Sequence, residues 1–90
     1  MTEKIELLRL ILSMRLKYVN NWGNVAVRTE PYNEVFSITW SSFLGDPDNS
    51  AFFQSTTYPE KMIDKIIKEQ KNKLKRDMPN NEKDILKSIL

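Results

Sequence analysis

Val35-Phe36-Ser37-Ile38-Thr39-Trp40-Ser41-Ser42-Phe43 is the stretch on which the fold turns. Phe36, Ile38 and Trp40 alternate with Ser37, Thr39 and Ser41, so an extended chain carries one apolar face and one polar face. Such a strand belongs to a sheet that packs helices against its apolar side. Immediately upstream, Glu30-Pro31-Tyr32-Asn33 reads as a turn, with Pro31 preset for its second position. Before it, Asn24 to Glu30 carries Val25 and Val27 on one face, which makes a hairpin with the strand from Val35. Downstream, Leu44-Gly45-Asp46-Pro47-Asp48-Asn49-Ser50 is dense in turn formers and predicts a loop. Ala51 to Thr57, rich in Phe and Thr, is expected to be a third strand.

Helical patterns flank this sheet on both sides. Residues 3–19 read as a helix with Thr2 as N-cap and Glu3 in the first turn, where the helix dipole favours an anion. At about 100° per residue, Glu6, Arg9, Ser13, Lys17 and Asn20 share one narrow polar stripe. The rest of the surface is apolar apart from Lys4 and Arg15, a wider arc than packing on one side of a sheet requires. Leu7, Leu10, Ile11, Met14 and Tyr18 are therefore expected to face away from the intrachain core and to form part of a homodimer seam. The C-terminal stripe Ile85–Leu90 is the alternative cover for that surface. Gly23 is expected to end this first unit in a left-handed turn.

Thr57-Tyr58-Pro59-Glu60 is expected to open a second helix, with Thr57 and Glu60 at capping-box spacing. Met62, Ile63, Ile66, Ile67, Gln70 and Leu74 keep one face, and Pro79 ends the run. Residues 81–90 predict a short final helix that must dock on something to persist. The expected fold class is α+β: a single small domain over residues 1–90, order α-β-β-β-α-α, with an antiparallel three-stranded meander packed by helices.

The 90 residues carry 14 Lys+Arg against 12 Asp+Glu, with no His, no Cys and two Gly. These absences remove thiol nucleophiles, disulfides and thiolate metal sites, along with the commonest general base and metal ligand. Two isolated glycines rule out a Gly-rich phosphate loop. Asp46-x-Asp48-x-Ser50 begins like a calcium loop but has Ala51 where Gly is needed and Thr57 where a bidentate Glu is needed. Glu30 and Glu34 flank a solvated turn that offers nothing to raise a carboxyl pKa. The chain is expected to be non-enzymatic, with no catalytic residue, metal or cofactor. Near the N-terminus the longest uncharged stretch is Leu10 to Met14, so neither a signal peptide nor a membrane span is expected, and the reading is cytoplasmic. The abundance of Lys, Asn and Ile points to an AT-rich genome, phage, viral or low-GC bacterial.

A net charge of +2 conceals an uneven distribution. Residues 61–76 hold seven basic groups against Asp64 and Glu69, a local +5; residues 21–60 hold Arg28 against five acids, a local −4. Lys61, Lys65, Lys68, Lys75 and Arg76 project away from the isoleucine stripe and form one basic strip. Read as function, that strip tracks nucleic-acid phosphates. Read structurally, it is a solvated face laced by Asp64–Lys68 and Glu69–Lys73 pairs. Phe36 and Trp40 are expected in the core, while Trp22 and Tyr32 sit at loop or turn positions where an aromatic can anchor a partner. The function expected first is a small interaction or regulatory protein working through a protein–protein surface as a homodimer; nucleic-acid binding through the lysine-rich helix is the alternative.

The order α-β-β-β-α over residues 3–76 is similar to that of the double-stranded-RNA-binding domain, with Val35-Phe36-Ser37-Ile38-Thr39-Trp40 in the place of its second strand. The resemblance is one of element order. Pro59-Glu60-Lys61-Met62-Ile63 stands where that family opens its last helix with a Lys-Lys-x-Ala-Lys signature, and the family's Gly-Pro-x-His loop element has no counterpart.

Overall fold

A computed structural model describes residues 2–19, 23–42 and 53–89. The chain runs α1 (Thr2–Arg15), β1 (Asn24–Glu30), β2 (Val35–Ser41), β3 (Phe53–Pro59), α2 (Ile63–Asp77) and α3 (Lys83–Ile89). The three strands form one antiparallel meander in the order β1-β2-β3. This is the α+β architecture expected from the sequence.

Register explains where the core sits. Val25 pairs with Trp40 and Trp40 with Gln54; Val27 with Ile38 and Ile38 with Thr56; Thr29 with Phe36 and Phe36 with Tyr58. Alternate residues share a face, so these three rows make up the inner face of the sheet. It is apolar across β1 and β2 except at Thr29, and turns polar on β3. Val27, Phe36 and Ile38 are buried under Ile5, Leu8 and Leu12 of α1 and Ile63 and Ile66 of α2. Tyr58 closes the β3 end by stacking on Phe36, ring centroids 5.4 Å apart. A second cluster joins Ile11 of α1 to Leu74 of α2 and Met78 just beyond it.

Both interruptions of the apolar arc on α1 meet α2. Lys4 Nζ lies 2.9 Å from Asp64 Oδ1, and Arg15 donates through Nη1 to Gln70 Oε1. The arc is wide because α1 packs on two things at once, the sheet and α2. A third polar contact guards the free edge of the sheet: Arg9 Nη2 donates to the Val27 carbonyl at 2.8 Å, occupying an acceptor of edge strand β1.

Several boundaries differ from expectation. The first helix ends at Arg15 rather than 19, and the chain continues in turns that keep Val19 N–H on the Arg15 carbonyl at 3.1 Å. Gly23 takes no left-handed conformation; it donates to the Ser41 carbonyl at 2.8 Å and prolongs the ladder. Among the described residues the positive φ belongs instead to Glu34, at 54°, which closes the Pro31–Asn33 3-10 turn of the hairpin. The capping box at Thr57 does not form. Thr57 and Pro59 pair with Ser37 and Val35 in β3, and the ladder holds that backbone extended. The helix therefore begins only after a 3-10 turn at Glu60–Met62. Trp22, the loop 44–50 and residues 51 and 52 lie outside the described residues, as do the side chains of the expected C-terminal stripe, 85, 86, 89 and 90.

Candidate functional site

The basic strip is built by the burial pattern of α2. Ile63, Ile66, Gln70 and Leu74 are buried, and a helix that sinks those positions must present the opposite side to solvent. Lys61, Lys65, Lys68, Lys75 and Arg76 are all exposed, Lys61 on the 3-10 turn ahead of α2 and the others along the helix. The expected lacing within the helix is absent among the described residues. Asp64 turns to Lys4 across the helix pair instead of to Lys68, and Arg76 Nε lies 3.5 Å from Asp77 Oδ1. Those two contacts are the ion pairs of the described residues, so Lys61, Lys65, Lys68 and Lys75 stand without a carboxylate partner there.

The five residues expected at a dimer seam do not share one outward face. Ile11 is fully buried within its own chain, against Leu74 and Met78, and Leu7, Met14 and Tyr18 pack on the same cluster. This corrects the orientation read from the sequence for Ile11, which faces α2 and the segment that follows it, while Leu7, Met14 and Tyr18 are half-buried beside it. Tyr18 is tied further, its hydroxyl donating to Glu82 Oε2. That bond raises the Tyr18 pKa above the ordinary phenol value, with desolvation and the Glu82 charge adding to it. Leu10 alone of the five is exposed, at 42%. Tyr32, at the hairpin tip, is exposed as expected.

Beside the basic face, the structure opens a cleft that sequence reading passed over. The helices cover β1 and β2 but leave Gln54 and Thr56 of β3 exposed. The gap between β3 and α2 is a cleft of about 250 Å³ whose walls include Arg15, Gln70 and Lys73. Gln70 is only 8% exposed, the one polar residue buried among those described. The signal was present in the sequence, since Arg15 and Gln70 each break an otherwise apolar helical stripe. No group of three or more Asp and Glu side chains among the described residues is arranged to hold a metal ion, and none of their helices is long and apolar enough to cross a membrane. Set against protein-family models, curated proteins and solved structures, the chain matches none.

Proposed function

We propose that this protein is a non-enzymatic nucleic-acid-binding protein that contacts phosphates through the lysine face of α2. One observation carries the reading: Asp64 is drawn off to Lys4, which leaves Lys61, Lys65, Lys68 and Lys75 exposed and unpaired among the described residues. Solvated lysines on a rigid helix cost little to bring against phosphates, and each contact releases condensed counterions. The face is continuous along the helix, and Arg76 prolongs it at the C-terminal end, where only a 3.5 Å contact with Asp77 competes.

The test is fluorescence anisotropy of a labelled single strand and a labelled duplex in low salt. Four to five contacts predict a log–log salt slope of about −3 to −4.5, and replacing Lys65, Lys68 and Arg76 with Gln reduces its magnitude by about 3. Absence of binding by the unaltered protein in low salt sinks the reading. A second reading, self-association, rests on Leu10, the large apolar side chain that α1 leaves exposed. Light scattering that finds a monomer on the order of tens of micromolar removes it, because a dedicated interface binds tighter than that.

A further inference from the structure

We propose that the cleft between α2 and β3 is a binding site for a phosphate group, with Arg15 and Lys73 as its cationic wall. Arg15 and Lys73 stand on the helical side, Gln54, Thr56 and Tyr58 come from β3, and no acidic side chain lines the cleft among the described residues. Two cations in a partly enclosed space, with Asp77 acting on Arg15 from outside the cleft lining, raise the local concentration of anions.

Arg15 is the unusual member. Its guanidinium stacks over Trp40, 5.6 Å from the ring centroid, and is held by the buried Gln70. These two contacts fix the plane of the group, which is half of what a guanidinium needs to recognise an oxyanion. The other half is a free donor. Arg15 Nε–H is buried and finds no acceptor among the described residues. A buried donor left unmade is costly, and on a cation more so. Burial depresses the pKa of Arg15 from the usual arginine value, with Asp77 opposing and Arg76 adding to that effect, yet a guanidinium remains protonated at neutral pH. An arriving oxyanion offsets both deficits.

The donor arrangement selects phosphate over carboxylate. Arg15 and Lys73 line the helical side and the donor-bearing residues Thr56, Tyr58 and Gln54 line the strand side. A carboxylate offers two oxygens in one plane, whereas a tetrahedral phosphate turns oxygens to both sides. The phosphate has two sources, a small phosphomonoester such as a nucleoside monophosphate, or the backbone of a strand lying on the neighbouring lysine face.

The experiment is a heteronuclear NMR titration of the full chain with inorganic phosphate, then a nucleoside monophosphate, then a short oligonucleotide. Saturable shifts of the Arg15 Nε–H, the Gln70 amide and Thr56 by phosphate and monophosphate are expected. R15Q weakens them about tenfold or more, the scale of losing a charged hydrogen bond. K73Q, at an exposed surface position, weakens them severalfold, and the K65Q/K68Q double variant, which keeps Arg76, leaves them unchanged. Oligonucleotide that displaces the monophosphate identifies the strand as the source, and oligonucleotide that does not identifies the small ligand. Shifts absent from the cleft, or equally strong in R15Q and K73Q, overturn the site. The lysine-face reading is judged separately, by the Lys65, Lys68 and Arg76 triple variant and its salt slope.

Discussion

Ile11→Ala and Leu10→Ala change neighbouring residues on α1 and should behave in opposite ways. Ile11 is fully buried against Leu74 and Met78, whereas Leu10 keeps 42% of its surface in water. Truncating Ile11 deletes three carbons from a packed helix–helix contact and leaves a cavity, at a cost of about 2–5 kcal/mol and centrally near 3. For 90 residues the whole stability is about 5–13 kcal/mol, so a loss near 3 kcal/mol removes about a quarter to three fifths of it. In urea, at a slope of about 1–1.5 kcal/mol per molar, the midpoint falls by about 2–3 M. Leu10→Ala should stay within about 0.5 kcal/mol of the parent. The assay is circular-dichroism urea melting at two widely separated protein concentrations. A seam between two copies makes stability concentration-dependent, and an intrachain contact does not. An Ile11→Ala loss that shrinks as concentration rises would refute the assignment of this residue to the intrachain core, as would a loss no larger than that of Leu10→Ala.

Further consequences attach to single side chains. Tyr18 donates to Glu82, which raises its pKa above the ordinary phenol value; a raised folded-state pKa means stability present below the unfolded value and lost as pH climbs through the folded one. The difference in urea midpoint between the parent and Tyr18→Phe should thus hold steady below about pH 10 and narrow above it; a difference independent of pH through that range contradicts the bond. Glu34 occupies a left-handed conformation at φ 54°, where a Cβ is penalised, so Glu34→Gly should stabilise by about 0.5–1 kcal/mol. Unchanged or lower thermal stability in that variant argues against strain at this position.

The meander was readable because its information is local. Phe36, Ile38 and Trp40 alternate with small polar residues, and Pro31 marks the turn, so strand, face and hairpin follow from spacings of a few residues. The same holds for α2, whose isoleucine stripe already separated the lysines that the structure exposes. Boundaries were less legible where two local preferences competed. Thr57 and Glu60 have capping-box spacing, but the pairing of Thr57 with Ser37 and Pro59 with Val35 holds that segment in the sheet, and the helix yields three residues to a 3-10 turn. The cleft was not legible as a site at all. Arg15 and Gln70 are 55 positions apart, and only packing reveals that each is the other's partner.

From the sequence alone come the alternation that makes the sheet, the helices on either side of it, the basic face of α2 and the absence of His and Cys, because each depends on residue type and short-range period. The tertiary structure decided which partner satisfies the broad apolar arc of α1. Amphipathicity records how much surface must leave water and is silent on what covers it; here Ile11 finds Leu74 and Met78 of its own chain. It also decided that Asp64 bonds Lys4 rather than Lys68, and that polar β3 lies uncovered beside Arg15. Those outcomes depend on distances between segments remote in sequence, which only the packed chain supplies.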